Sequence, residues 1–289
     1  MNIGCIGAGN MGGAIINGYI NKKRELYSSE DNNLKQGEGV KTFNSDENSN
    51  IYVFDRDVEK VRNMQTELGI NVCESAREIV SKCQIIFLAV KPNVCSEVLK
   101  EIEDGFLIDK ILVSMAAGIT MEFIQKHFRN PVKIVRIMPN TPALVGESMT
   151  AVCQGSEVND EELFEVLEIL NSIGRTMIVN EEDIHAVIGV SGSSPAYVYM
   201  FIDAIARAGA KKGLDYDNAL ILAAQSVLGA AKMVLETGRE PEDLVDMVCS
   251  PNGTTIEAVN VLRSNGFTER VAEGVFAATE KSIKMSEGL

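Results

Sequence analysis

A glycine-rich segment near the first residue constrains the fold of this chain more than any other feature. Residues 2–6 are a short apolar run that predicts a strand, and the next six residues, Gly7-Ala8-Gly9-Asn10-Met11-Gly12, have the spacing G-x-G-x-x-G. Residues 13–20 continue as a largely apolar helix. In such a unit the first glycine permits a tight turn, the second lets the backbone approach a pyrophosphate, and the third lets the helix pack on its strand. The segment therefore predicts a dinucleotide-binding site.

Apolar runs and helix-like segments alternate over the rest of the first half. Further strands are expected at residues 51–55, 70–73, 84–90, 110–115, 132–138, 149–154 and 175–179, with helices at 58–68, 93–103 and 160–173. This alternation is typical of a doubly wound, mostly parallel sheet in an α/β protein. We therefore expect a Rossmann-like dinucleotide-binding domain over residues 1–180.

Beyond this domain the strand pattern ends and two apolar helices are expected. Residues 195–210 carry only Asp203 and Arg207 as charges, and residues 219–231 carry none. A helix that is apolar on all sides must be buried, yet both runs are shorter than the roughly 20 residues that span a bilayer. We expect an all-α dimerisation and substrate domain over residues 181–289, with a second copy of the chain covering these helices.

A polar segment, residues 24–50, separates the first expected helix from the second expected strand. It is rich in Asn, Ser, Glu, Asp and Lys and has neither a helical nor a strand period. It also puts Asp55, the acidic residue that ends the second strand, far beyond the usual distance of roughly 20 positions from the glycines. We expect a mobile surface excursion, and a flap over the adenosine end of the cofactor is the alternative.

Composition argues against several classes of function. The chain has 289 residues and a formal net charge of −14, so no nucleic-acid partner is expected, because phosphate binding needs a basic face. Its six cysteines show no metal-ligand spacing, and we expect reduced core thiols and no metal site. Met1 leads directly into the first strand without a charged, cleavable leader. From this we expect a cytoplasmic protein. The shortness of the two apolar runs leads us to expect no membrane partner.

A second ligand-site pattern is the segment Ser250-Pro251-Asn252-Gly253-Thr254-Thr255-Ile256. Its proline and its Asn-Gly pair are turn formers, and Glu257 follows Thr254 at the capping-box spacing, so a helix is expected to begin at Thr254. The free N–H groups and dipole of that helix, with the hydroxyls of Ser250, Thr254 and Thr255, suit a carboxylate or phosphate. An ordinary capped helix start is the alternative on the residues alone.

Six segments together resemble the pyrroline-5-carboxylate reductases over essentially the whole chain outside residues 24–50. They are the two segments already described, with Ala89-Val90-Lys91-Pro92, Ser114-Met115-Ala116-Ala117-Gly118, Arg136-Ile137-Met138-Pro139-Asn140-Thr141-Pro142 and Val190-Ser191-Gly192-Ser193-Ser194-Pro195-Ala196-Tyr197. Ser194 and Asn252 stand where that family usually has glycine. The resemblance implies reduction of the cyclic imine 1-pyrroline-5-carboxylate to L-proline, the last step of proline biosynthesis, with hydride from NADPH or NADH. It also implies a homodimer, with a larger assembly of dimers left open.

The resemblance further implies roles for single residues. Thr255 would hold its hydroxyl against the imine nitrogen as the catalytic group. Ser250 and the amides of Gly253, Thr254 and Thr255 would bind the substrate carboxylate. This loop would meet the cofactor of the partner protomer.

The cofactor is expected to contact the first glycine segment and Ala89-Val90-Lys91-Pro92, with Asn140 and Thr141 near the nicotinamide. Its identity stays open. Asp55 would accept hydrogen bonds from the ribose hydroxyls and repel a 2′-phosphate, which favours NADH. Arg56 beside it favours NADPH, and the resembling family often prefers NADPH.

Two alternatives belong to other classes. A β-hydroxyacid dehydrogenase would share the glycine segment and the helical second domain, but it needs a lysine base, for which Lys211, Lys212 and Lys232 are the candidates in the central helices. Lys211 and Lys212 are expected to end a helix, where cations complement the dipole. A catalytically silent dinucleotide-binding protein is the third reading, and cofactor binding without turnover would distinguish it.

Overall fold

The computed structural model describes residues 1–31 and 48–287, and a single sheet organises the first half of the chain. Its strands are β1 (Ile3–Ile6), β2 (Ile51–Phe54), β3 (Asn71–Val72), β4 (Ile85–Leu88), β5 (Ile111–Ser114), β6 (Lys133–Met138), β7 (Ser148–Gln154) and β8 (Gly174–Ile178). The eight expected strands are thus confirmed, most of them trimmed by a residue or two at their ends.

The strand order explains where a ligand can bind. The sheet runs β3-β2-β1-β4-β5-β6-β7-β8, and the first six strands in this order are mutually parallel. β7 pairs antiparallel with β6, and β8 runs parallel to β7. Every residue of β1, β4 and β5 is buried, because helices cover both faces. The order reverses between β1 and β4, and the crevice outside their carboxyl ends is where such folds bind ligands.

Helices α1 to α7 lie in the same packed unit as the sheet. The expected Rossmann-like fold with a mostly parallel sheet is therefore confirmed. They are α1 (Asn10–Asp31), α2 (Val58–Leu68), α3 (Ala76–Lys82), α4 (Pro92–Ile102), α5 (Met121–Gln125), α6 (Asp160–Leu170) and α7 (Ile184–Val187), with 3-10 turns at Glu103–Gly105, Thr141–Val145 and Glu181–Asp183 and a π-helical turn at Ile188–Gly192. The α6 helix has the complete capping box of Asn159 and Glu162 at its start. It ends at Leu170, earlier than the expected residue 173.

The polar segment at residues 24–50 is partly helical, so the expectation of no helical structure there is wrong. The α1 helix continues beyond residue 23 to Asp31, because Arg24 and Glu25, which follow its apolar part, are good helix formers. Residues 32–47 lie outside the described part of the chain, and the mobile excursion and the flap both stay predictions. Asn48 is buried, and its side-chain amide donates to the Leu68 carbonyl at 2.7 Å, at the end of α2.

The chain separates into two packed units. One comprises Met1–Gly192 together with Thr279–Leu289, and the other comprises Ser193–Ala278. The last part of the chain therefore belongs to the unit that contains the sheet, and the Ser282 hydroxyl lies 2.8 Å from the Nδ1 atom of His185 on α7. The proposed domain limits of 1–180 and 181–289 stay a prediction.

The second unit is helical. Its helices are α8 (Ser194–Lys211), α9 (Tyr216–Thr237), α10 (Pro241–Val248), α11 (Thr254–Ser264) and the first part of α12 (Phe267–Glu287). Asp203 accepts hydrogen bonds from Arg207 Nε at 2.7 Å and from the Tyr216 hydroxyl at 2.8 Å, which joins α8 to the start of α9. The two charges of the apolar run therefore neutralise each other.

Apolar side chains of α9 are uncovered in the single chain. Ile221 and Leu222 are 67% and 59% exposed, while Ala219 and Ala223 are the buried residues of this helix. The helix extends beyond the apolar run at both ends and has 22 residues. Among the described residues, α9 has the length and apolar composition of a membrane-spanning helix. The expectation that both runs are too short to span a bilayer is therefore wrong for the helix that contains the second run, by length and composition alone.

Candidate functional site

The glycine segment forms a tight loop between β1 and α1. Gly7 has a φ of +101°, and a Cβ atom there would lie 2.5 Å from the Ala89 carbonyl oxygen. A Cβ atom on Gly12 would collide with the Gly7 carbonyl oxygen. Space around Gly9 is open, so that a ligand can approach its backbone. Each of the three glycines thus stands at its position for a different physical reason. Binding of a pyrophosphate by this loop stays a prediction.

The carboxylate of Asp55 is hydrogen-bonded to this loop. Its Oδ2 atom accepts the Ala8 backbone N–H at 2.5 Å, and its Oδ1 atom accepts the Asp57 N–H at 2.9 Å. Charge-assisted bonds of this kind fix the carboxylate in place beside the loop. Asp55 therefore braces the glycine loop, a role that the sequence pattern did not indicate. Acceptance of ribose hydroxyls by its remaining lone pairs stays a prediction.

Arg56 extends from the same strand end and has a carboxylate partner. Its Nη2 atom lies 2.5 Å from the Oε1 atom of Glu97 on α4, and both side chains are about two-thirds exposed, at 64% and 66%. The hydrogen bond and charge of Glu97 raise the pKa of Arg56 and, reciprocally, lower the pKa of Glu97. Sequence reasoning missed Glu97, because the contact joins two elements that are distant in the chain.

The segment after β4 lies against the same loop. The Ala89 N–H donates to the Ile6 carbonyl at 2.9 Å, and a Cβ atom on Gly7 would lie 3.3 Å from Val90 Cγ1. Lys91 is the N-cap residue of α4, and Pro92 opens that helix with a φ that suits its first turn. The structure therefore brings the ends of β1, β2 and β4 together at the carboxyl edge of the sheet.

The side chain of Asn140, which follows β6, makes hydrogen bonds within the protein. It is 8% exposed, its Oδ1 atom accepts the Met149 N–H at 3.0 Å and the Ser148 hydroxyl at 3.2 Å, and its Nδ2 atom donates to the Ser191 carbonyl at 3.0 Å. Its side chain therefore ties the turn after β6 to β7 and to the π-helical turn. Thr141 is exposed at the start of the adjacent 3-10 turn. Contact of either residue with a nicotinamide ring stays a prediction.

All six cysteines are free thiols, and the expected core placement is confirmed for five of them. Cys5, Cys73, Cys83, Cys95 and Cys153 are buried, and Cys249 is half-buried. Burial, and to a lesser degree the charge of Asp55, raises the pKa of Cys5 to about 12. A thiol with such a pKa is neutral at physiological pH and is a poor nucleophile. In residues 1–31 and 48–287 no group of three His, Cys, Asp or Glu side chains is arranged to hold a metal ion.

The second candidate segment forms a turn followed by a helix in the helical unit. The Gly253 N–H donates to the Ser250 carbonyl at 2.9 Å, and Asn252 has a φ of +61°, as the third residue of a type II turn requires. A Cβ atom on Gly253 would lie 2.5 Å from the Ser250 hydroxyl oxygen. Asparagine tolerates the left-handed conformation better than most residues. This explains how Asn252 occupies a position where the resembling family has glycine.

The α11 helix begins at Thr254 as expected, but the predicted capping box is wrong. Gly253 is the N-cap residue, and no side chain bonds to the helix start. Thr254 is already helical, so Glu257 stands one residue too late to complete the box. The N–H groups of Thr254 and Thr255 have no partner within the helix, because the first turn of an α-helix has none. An uncapped helix start beside a serine hydroxyl offers donors to a small anion.

A Rossmann-like sheet with a glycine loop, followed by a helical unit, defines the class of NAD(P)-dependent oxidoreductases with an appended helical domain. A family model described as NADP oxidoreductase coenzyme F420-dependent matches residues 2–118, and one described as pyrroline-5-carboxylate reductase dimerisation matches residues 181–285. The chain belongs to the pyrroline-5-carboxylate reductase family. It is 43% identical to the pyrroline-5-carboxylate reductase of Escherichia coli (strain K12) over 99% of this chain and 98% of that protein.

Solved structures agree with this assignment. A pyrroline-5-carboxylate reductase from Coxiella burnetii is 29% identical with a TM-score of 0.85, covering 99% of this chain and 98% of that one. The Plasmodium falciparum enzyme with NADP bound is 30% identical with a TM-score of 0.80 and the same coverage. Membership of the family confirms the expected NAD(P)H-dependent oxidoreductase and its self-association through a dimerisation domain.

Membership of this family does not favour the two alternatives, a β-hydroxyacid dehydrogenase and a catalytically silent dinucleotide-binding protein. As expected, Lys211 ends α8 and Lys212 is its C-cap residue.

Proposed function

We propose that this chain reduces 1-pyrroline-5-carboxylate to L-proline with a nicotinamide hydride donor. The observation that carries the proposal is the uncapped start of α11 beside Ser250, in a chain that also has the glycine loop of a dinucleotide site. An imine with a neighbouring carboxylate needs an anion anchor and a hydrogen-bond donor at its nitrogen. Residues 250–255 offer both.

The substrate carboxylate binds at the start of α11. The N–H groups of Thr254 and Thr255 and the hydroxyl of Ser250 donate to its oxygens, and the helix dipole favours its charge. The Gly253 amide already donates to the Ser250 carbonyl. Gly253 therefore serves mainly by leaving room for the Ser250 hydroxyl, rather than through its own amide. Thr255 is the catalytic residue, with its hydroxyl donating to the imine nitrogen.

The cofactor binds at the carboxyl edge of the sheet and supplies hydride when bound. The open backbone at Gly9 and the start of α1 suit a pyrophosphate, with Gly7-Ala8-Gly9-Asn10-Met11-Gly12 as its cradle. Asp55 and Arg56 lie at the adenosine end, and Ala89-Val90-Lys91-Pro92 run along the cofactor. Thr141 faces the nicotinamide end, and Asn140 holds the turn that carries it. Either NADPH or NADH is a substrate.

The active unit is a homodimer in which residues 250–255 of one protomer complete the cofactor site of its partner. A larger assembly of such dimers is compatible with this arrangement. The match of the dimerisation model from residue 181 onward supports a sequence boundary between the two domains at residues 180 and 181, although residues up to Gly192 pack with the sheet unit. Exposed apolar residues of α8 and α9, such as Met200 at 73% and Ile221 at 67%, need cover, and the match of residues 181–285 to a dimerisation model supports cover by a second copy. Free buried thiols are typical of a reducing compartment, so the enzyme acts in the cytoplasm.

One assay tests the reaction. Purified protein with 1-pyrroline-5-carboxylate and either NADPH or NADH is followed by nicotinamide absorbance, with proline identified as the product. We expect oxidation of the cofactor that depends on the imine. Cofactor binding without turnover would support the silent-protein alternative instead. Turnover of a β-hydroxyacid, with none of the imine, would support the dehydrogenase alternative.

A further inference from the structure

The adenosine end of the proposed cofactor site carries a fixed negative charge. Both carboxylate oxygens of Asp55 are held by backbone N–H groups, those of Ala8 and Asp57. The carboxylate therefore cannot swing away from the glycine loop without breaking two charge-assisted bonds. An incoming 2′-phosphate would meet this charge, and a nearby cation must compensate for it if NADPH is to bind well.

The neighbouring cation, Arg56, is already paired. Its Nη2 atom lies 2.5 Å from Glu97 Oε1, and the charge of Glu101, one turn further along α4, also acts on it. The pair is exposed, so it is weak enough for a ligand to separate. Separation would nevertheless leave the Glu97 carboxylate close to the 2′-phosphate, where like charges repel.

These contacts lead to an inference that rests on the proposed function and concerns its cofactor. We propose that Glu97 is a specificity-determining residue, which holds Arg56 away from the 2′-phosphate of NADPH and so favours NADH. Glu97 touches neither the imine nor the nicotinamide in this scheme. It acts by competing with the phosphate for one guanidinium group. The sequence pattern of Asp55 and Arg56 left the preference open, and Glu97 is the additional group that biases it.

Binding measurements on the whole protein test this without turnover. Isothermal titration gives the Kd of NADPH, NADH, adenosine 2′,5′-bisphosphate and 5′-AMP for the wild type and for Glu97→Gln. We expect Glu97→Gln to lower the Kd of the two 2′-phosphorylated ligands by about three- to tenfold, the size expected for release of an exposed ion pair and removal of one nearby charge. The Kd of NADH and 5′-AMP should change by less than about twofold.

Two further variants separate a direct effect from a general change of charge. Glu122→Gln removes the same charge from another exposed pair, that of Lys126 and Glu122 on α5, and should leave every Kd unchanged. In an Arg56→Gln background, Glu97→Gln should improve binding of the 2′-phosphorylated ligands much less, because the contested guanidinium is gone and only the repulsion by Glu97 is relieved. A gain in that background as large as the gain in the wild type, or an equal gain in Glu122→Gln, would overturn the proposal.

The results also distinguish this inference from the proposed function. An unchanged ratio of NADPH to NADH affinity in Glu97→Gln overturns the role of Glu97 alone. Cofactor binding with the expected shift, but no turnover of the imine, overturns the proposed reaction and leaves the role of Glu97 standing. Failure of the wild type to bind either cofactor overturns both.

Discussion

At the scale of single residues, two side chains that the sequence marked as ligand contacts also make hydrogen bonds within the protein that the sequence did not indicate. Asp55 braces the glycine loop through the Ala8 N–H, and Asn140 is bonded to Met149 and Ser191. Both residues were expected to face a ligand. Residue type and position predicted where these groups lie, but their hydrogen-bond partners come from distant parts of the chain. Local sequence does not carry that information, and for the same reason Glu97 was not foreseen.

Thr255 offers the sharpest test at this scale. Thr255→Ala should lower kcat/KM for the imine by about tenfold, because a neutral hydrogen bond contributes roughly 0.5–1.5 kcal/mol. Steady-state kinetics measure the loss, and titration with NADH should show an unchanged cofactor Kd. Thr255→Ser keeps the hydroxyl and should retain most of the activity. If the alanine variant matched the wild type in kcat/KM, the hydroxyl would have no part in the reaction.

At the scale of elements, burial decided how much the sequence could predict. β4 and the first three residues of β5 are uninterrupted apolar runs that lie in a covered sheet, and such runs predict buried strands. The five-residue α5 is too short to show a helical period. The antiparallel direction of β7 follows from how the chain turns after Met138, which strand periodicity does not report. The capping box at Thr254 failed because the helix started one residue earlier than the pattern required.

Close packing of α1 on the glycine loop gives a prediction with a neighbouring control. In Gly12→Ala the new Cβ atom would collide with the Gly7 carbonyl and approach Cys5 Sγ at 3.0 Å, so the helix must shift. We expect loss of cofactor binding, measured by titration. In Gly13→Ala the nearest atom, the Ala8 carbonyl oxygen, is 3.8 Å away, an ordinary contact.

The Gly13→Ala protein should bind cofactor normally. It should also be up to about 1 kcal/mol more stable, because alanine is the better helix former, and thermal unfolding measures this. Equal cofactor affinity in the two variants would show that the Gly7 to Gly12 approach has no bearing on the site.

At the scale of the whole molecule, the two ligand-site patterns lie in separate packed units. The glycine loop belongs to the unit that contains the sheet, and the Ser250 turn belongs to the unit Ser193–Ala278. Large apolar residues of this second unit, including Leu235 at 60% and Phe276 at 61%, are uncovered in the single chain. Composition alone predicted that these helices need a partner. It could not predict which protomer completes which site, because that depends on the geometry of assembly.

Complementation between two defective variants tests the shared site. One variant is Gly12→Ala, which should not bind cofactor, and the other is Gly253→Val, whose side chain would fill the space of the Ser250 hydroxyl. In a dimer of one protomer of each kind, a shared arrangement gives one site with both halves intact and one with both halves damaged. Random reassembly at equal amounts should therefore recover about a quarter of the wild-type activity, since half of the twofold-symmetric dimers are mixed.

The readout has to separate mixed dimers from their parents. Different affinity tags on the two variants allow the mixed species to be purified after reassembly, and its activity is then compared with each parent. If each site is built within one chain, both sites of every mixed dimer carry one damaged half, and activity stays at the parental level. Purified mixed dimers without any gain would therefore contradict the shared site, while the catalytic role of Thr255 would still stand on its own variant.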